Sequence, residues 1–301
     1  MRSSAGRHSV CPMDDLERAD GEPQSERHEA NGKQRARAEQ EEAEERSAPT
    51  PSVVWQAIYS EGRDELARGW RQLAWSALAA GLSMGFSLIT EGLLRRHLPE
   101  AGWRPLVAKF GYSMGFLIVV LGRQQLFTEN TLTVILPLLH RRSAKAAATV
   151  ARLWAVVLAA NLVGAAAIAW VIAHTGVFDE EAKRAFSQVS MEAAGAPFGL
   201  VLLRGIFAGW LIALMVWLMP GAEVARIWII ILLTYVIALG GFAHVIAGSV
   251  DQLFLVWTGR LSAGGYLGGF LLPTFIGNVI GGVSLVAALN HVAAAPSQRP
   301  E

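Results

Sequence analysis

The stretch Gly122–Asn130, GRQQLFTEN, lies between GYSMGFLIVVL and TLTVILPLL, two runs that are almost wholly apolar. Nine mostly polar residues interrupt what otherwise reads as a membrane segment. A hydrocarbon core about 30 Å thick takes about 20 helical residues to cross. Four runs meet that length, roughly 72–94, 148–173, 197–219 and 266–289. Two more, 104–139 and 225–258, are too long for one span and too short for two. The chain therefore reads as an all-α, multi-pass membrane protein with two broken spans.

Composition sets the frame around those runs. Of 301 residues 52% are hydrophobic, and the net charge of +1 argues for no particular charged partner, nucleic acid included. Residues 1–52 are dominated by Arg, Glu, Gln, Ser and Ala, too polar to offset their own ordering entropy, and are expected to form a disordered tail. A second, short polar tail covers 291–301. The single cysteine, Cys11, falls in the first tail, so no intrachain disulfide is expected. No cleavable signal precedes the first span, which is expected to direct insertion itself. Over 53–71, Val54, Ile58, Leu66, Trp70 and Leu73 recur at helical spacing among Arg63, Asp64, Glu65, Arg68 and Arg71, either as an amphipathic surface helix or as an extension of the first span. Lys and Arg near the span ends favour cytoplasmic N- and C-termini in an inner membrane.

The membrane domain, 72–290, repeats itself. GLSMG (Gly81–Gly85) resembles GIFAG (Gly205–Gly209), and NLVGA (Asn161–Ala165) resembles NVIGG (Asn278–Gly282). Between them the break near Thr128 corresponds to one near His244. Each half, about 72–174 and 197–290, reads as span, broken span, span. Three spans per half place the second repeat upside down relative to the first, an inverted repeat whose broken spans meet near the midplane.

Non-helical backbone at membrane depth leaves N–H and C=O groups unpaired, which is tolerated only beside protein or a water-lined cavity. Each break is expected to be followed by a half-helix, TLTVILPLL in the first and DQLFLVW after HVIAGSV in the second. Their N-termini, carrying partial positive charge, would face the middle of the protein and favour anions. Beside them stand one titratable group, His244, and one hydroxyl, Thr128, the two candidate pore residues. No metal-ligand spacing, nucleophile–base pair or phosphate loop accompanies them, so neither an enzyme, a metal site nor a cofactor is expected.

LFTEN after a glycine-containing helix, RGIFAGWLIALMVWL, GFAHVIAGSV and LPTFIGNVIGG together resemble the formate/nitrite transporter family, over essentially residues 65–290. The resemblance implies an aquaporin-like bundle of six spans, assembled as a homopentamer in the lipid bilayer, one pore per protomer. It implies transport of small monovalent weak-acid anions such as formate or nitrite, together with protons. Carried over by position, the family's pore histidine falls on His244 and its loop threonine on Thr128. Gln125, Leu126, Phe127 and Asn130 then belong to the pore loop, Tyr112, Phe116 and Ile237 to the apolar constriction, and Gly209, Asn161 and Asn278 to pore-side or packing support. Gln125, Ala243, Gly209 and Ala193 stand where family members carry other residues, which marks a divergent branch.

Burying a bare carboxylate in an apolar constriction costs tens of kcal/mol by Born estimates, against about a few for the neutral acid. Passage as the neutral acid is therefore expected, with proton transfer, direct or through water, near His244. An aquaporin-like channel for a small neutral solute, with His244 only as a hydrogen-bonding selectivity group, is the alternative.

Overall fold

A computed structural model describes residues 32–35 and 49–294. Most of the expected N-terminal tail, and the C-terminal tail beyond 294, lie outside the described residues. Residues 32–35 form one helical turn.

From Pro49 onward the chain is helical and built from spans. Helix α1, Pro51–Ala67, opens with proline at its first position, where a missing N–H costs nothing. Arg68 and Gly69 are extended, so α2, Trp70–His97, is a separate helix, and Trp70 and Leu73 belong to it. The buried face of α1, Val54, Ile58, Gly62 and Glu65, lies on protein. At Gly62 a side chain would run into the backbone of Thr133. The helix over 53–71 therefore ends four residues early and packs on the first broken span.

That span comprises α3, Arg104–Leu121, with a 3-10 turn at Lys109–Tyr112, then the break and two short helices, α4 (Asn130–Thr133) and α5 (Ile135–Arg141). Helix α6, Ala144–His174, is capped by Ser143, whose side chain accepts from the Ala146 N–H. An amphipathic helix outside the spans, α7 (Glu180–Met191), is capped likewise by Asp179. The second half runs through α8 (Phe198–Leu218), α9 (Arg226–Leu239), α10 (Ala247–Trp257), a π-helical stretch at Gly265–Leu271 and α11 (Leu272–Ala294). Five of these segments are long and apolar enough to cross a membrane, while the 14-residue α9 crosses only together with α10 beyond its break. The result is a six-span aquaporin-like bundle with two broken helices.

The halves match in packing. Helix α2 lies along α6 as α8 lies along α11. Two expectations shift. Gly81 is the counterpart of Gly209, one turn beyond the expected Gly205, because these two sit where a side chain would strike the backbone carbonyl of Asn161 and of Asn278 respectively. The second break also comes earlier: α9 ends at Leu239 rather than 243, and α10 starts at Ala247 rather than Asp251. Gly240–Gly241 turns the chain there, with Gly241 at φ +58, a left-handed conformation open to glycine.

Candidate functional site

Each break is held by one buried asparagine. Asn161 Oδ1 accepts from the Phe127 N–H (2.9 Å), and its Nδ2 donates to the carbonyls of Gln125 (2.9 Å) and Ala77 (2.7 Å). Asn278 Oδ1 accepts from the Val245 N–H (2.9 Å), and its Nδ2 donates to the carbonyls of Ala243 (2.8 Å) and Gly205 (2.8 Å). One carboxamide thus satisfies a donor and an acceptor of irregular backbone and ties them to a carbonyl of the neighbouring helix, in an apolar surrounding where an unpaired group costs about 1–3 kcal/mol. By these bonds Leu126, not Thr128, is the positional twin of His244. Asn161 and Asn278 are packing and backbone supports, and so is Gly209, where a side chain has no room.

Thr128 and His244 nonetheless meet across the repeat. Thr128 Oγ1 and His244 Nε2 lie 2.8 Å apart, 0% and 1% exposed. Nδ1 of His244 faces the N–H groups of Ile246 (3.3 Å) and Ala247 (3.1 Å), the first amides of α10. Both are donors, so Nδ1 accepts and Nε2 carries the hydrogen. The imidazole therefore donates to Thr128, whose own hydroxyl hydrogen is left to point elsewhere. Phe116 stands edge-on to the imidazole with ring centres 4.9 Å apart, and Tyr112 packs on Phe116 at 5.3 Å.

Tyr112, Ile237 and His244 line a cavity of about 320 Å³ toward the C-terminal end of α2. Its polar wall was not assigned from sequence. Lys109 Nζ binds Glu91 Oε1 and Glu192 Oε2, each at 2.8 Å, and Glu192 also pairs with Arg95. Burial pushes the Glu192 carboxyl up, but Lys109 and Arg95 outweigh it and hold it below the usual carboxylate range. Arg204 and Asp251 line the same cavity.

Phe127, Gln125 and Asn130 have partners other than His244. Leu126 and Phe127 are fully buried, with Phe127 against Trp154 and Phe275. Gln125 Oε1 accepts from Asn130 Nδ2 (3.1 Å), while Gln125 Nε2 donates to Glu65 Oε1 (3.1 Å). Glu65 Oε2 takes a hydrogen bond from Thr133 Oγ1 (2.7 Å). Burial raises the Glu65 carboxyl above the usual range, with the bonds from Thr133 and Gln125 opposing. Gln125 and Asn130 thus belong to a polar seal beneath α1, to which Glu65 contributes a carboxyl from another helix. Glu65 stood in the sequence among charged surface residues, so no local signal marked it.

Solved structures described as "Pentameric formate channel with formate bound" and "FNT family ion channel" superpose with TM-scores of 0.64 and 0.68, at 21% and 20% identity. They cover 74% and 81% of this chain, and 96% and 99% of their own. Inner membrane protein YfdC of Escherichia coli (strain K12) is 38% identical over 264 residues, 87% of this chain and 85% of the relative. Formate channel BtFdhC of Bacillus thuringiensis is 30% identical over 216 residues, 69% of this chain and 80% of the relative. The family model described as formate/nitrite transporter matches residues 52–292. With two broken spans clasped by paired asparagines and a histidine–threonine contact between them, the chain belongs to the formate/nitrite transporter family.

Proposed function

We propose that this protein is a channel for small monovalent weak-acid anions, formate, nitrite or similar, carrying them with a proton as the neutral acid through a pore centred on His244 and Thr128. The observation that carries this reading is the 2.8 Å contact between His244 Nε2 and Thr128 Oγ1 at the junction of the two broken spans. With Nε2–H donating, the threonine hydroxyl hydrogen is free for a passing oxygen atom, so one polar donor stands at an otherwise apolar crossing. Tyr112, Phe116 and Ile237 form the constriction on the cavity side; Leu126 and Phe127 close the opposite side. An apolar passage of this kind admits a neutral acid far more readily than its anion.

Two family relationships support the substrate class: the relative named a formate channel and the solved channel with formate bound. The same solved channel is pentameric, and a homopentamer in the inner membrane with both termini cytoplasmic is the assembly we infer. Proton transfer takes place in the cavity beside the imidazole, because the Nδ1 lone pair already faces two backbone N–H groups.

The test is uptake into liposomes of formate, nitrite, lactate, hydrosulfide and glycerol, with and without an inward proton gradient. Expected is gradient-driven entry of formate or nitrite, lowered about tenfold or more in His244→Phe, which leaves Thr128 without its hydrogen-bond partner. Acceleration of glycerol alone, or pH-dependent uptake intact in His244→Phe, would overturn the reading.

A further inference from the structure

The cavity above His244 has a mixed electrical character. Lys109 is bound to two carboxylates, Glu91 and Glu192, and so is no free cation. Asp251, on the second turn of α10, is in a different situation. It is half-buried, lines the cavity that His244 borders, and has neither a hydrogen bond nor an ion pair among the described residues. Arg204, on α8, lines the same cavity and its guanidinium is likewise unpaired among them. An acid left without a partner at membrane depth is costly to keep charged, and therefore inexpensive to keep protonated.

We propose that Asp251 is the proton-transfer group of this pore, giving its carboxyl hydrogen to the weak-acid anion in the cavity before the acid passes Tyr112, Phe116 and His244. The inference rests on the weak-acid reading above and adds the residue that supplies the proton. The step balances: the Asp251 O–H bond breaks, an O–H bond forms on the anion, and the aspartate regains a proton from water on the cavity side. The step exchanges one charged group in the cavity for another, so its cost is the difference between two acids in the same surroundings and not the full cost of creating a new buried charge. His244 is less suited, because protonating Nδ1 would break its contacts with the Ile246 and Ala247 amides.

The groups around Asp251 fit a proton-transfer site. Arg204 offers the incoming anion a positive partner, while Glu91 and Glu192, already paired with Lys109, keep the cavity from becoming a cation-lined trap. Tyr112 lines the wall, and Tyr266 is spent on Ser249 Oγ (2.9 Å) on the same helix, α10. After transfer the ionised Asp251 repels a second anion until water returns its proton. One proton then accompanies each anion.

The test uses the full chain in liposomes, with formate as substrate and pH varied on the cavity side. Asp251→Asn is expected to lower gradient-driven formate uptake about tenfold or more and to flatten its rise with falling pH, while Asp251→Glu restores both. The thermal midpoint of Asp251→Asn should stay at the wild-type value. An Asp251→Asn protein with the wild-type rate and pH profile overturns the proposal. So does a loss of flux that keeps the wild-type pH profile, or one that comes with a lowered midpoint and is not restored by glutamate. Wild-type protein that moves no weak acid defeats the weak-acid reading itself; wild-type flux with an unaltered Asp251→Asn defeats only the role of Asp251.

Discussion

The two broken spans share a backbone scaffold and differ in what surrounds it. In both, an asparagine from the following span binds one N–H and two carbonyls, and a glycine one span earlier lets the backbones meet. Around the first break Gln125, Asn130 and Thr133 bond to one another and to Glu65 from α1, while Gln124 Oε1 and Glu129 Oε1 are buried without a hydrogen-bond partner among the described residues. The second break, with Gly240–Gly241 in place of polar loop residues, opens on a cavity where Asp251 and Arg204 have no partners among the described residues. Repetition accounts for the course of the backbone. The chemistry comes from where the halves stop matching.

The largest expected effect tests the shared part. Asn161→Ala and Asn278→Ala each leave two buried backbone groups of a break unpaired, and at about 1–3 kcal/mol per group the loss is about 2–6 kcal/mol per site. Both variants should lower the thermal midpoint by similar amounts, measured on detergent-solubilised protein. A large loss at one position and none at the other would break the equivalence of the two halves.

Next in size is the glycine pair. Gly81→Ala and Gly209→Ala put a methyl group against the backbone carbonyls of Asn161 and Asn278, and such overpacking costs about 1–3 kcal/mol. Gly205→Ala, whose new carbon would meet the Thr274 carbonyl at 3.1 Å, should cost less than Gly209→Ala. The reverse order would restore the pairing of Gly81 with Gly205 that sequence matching favoured.

That displaced pairing shows where sequence reading is strong and where it is not. Span count and both breaks were legible, because crossing length and polar interruption are local properties of the chain. Asn161 and Asn278 were legible from their matched distance to the breaks. The glycine register was not, since small residues spaced four apart match equally well after a shift of one turn. Thr128 and His244 each stand at a break in the sequence, yet their contact is not a symmetry pairing, and only folding brings them together. Glu65 and Lys109 were unreadable as site residues because their partners, Gln125 and Thr133 for one, Glu91 and Glu192 for the other, are distant in sequence. Asp251 did carry a signal, a lone acid within an apolar half-helix, but its meaning depended on the cavity beside it.

The smallest effect concerns the first break alone. Burial raises the Glu65 carboxyl above its ordinary range when α1 is docked, with the hydrogen bonds from Thr133 and Gln125 opposing. A group whose acidity is weakened by docking favours the docked state while it is protonated. That contribution is full below the ordinary glutamate range and is lost as pH rises through the raised value. Docking of α1 should therefore loosen on going from acid to alkaline conditions. In a Cys11→Ser background, thiol labelling of Ile58→Cys, buried where α1 lies on protein, reports it. Glu65→Gln keeps the side-chain shape without the charge, so its labelling, corrected for reagent chemistry with an exposed control such as Val53→Cys, should be low and independent of pH. The wild-type residue should give a few-fold rise toward alkaline pH. If both residues gave the same pH profile, the seal would owe nothing to this carboxyl, and the contrast between a closed first break and an open second one would rest on packing alone.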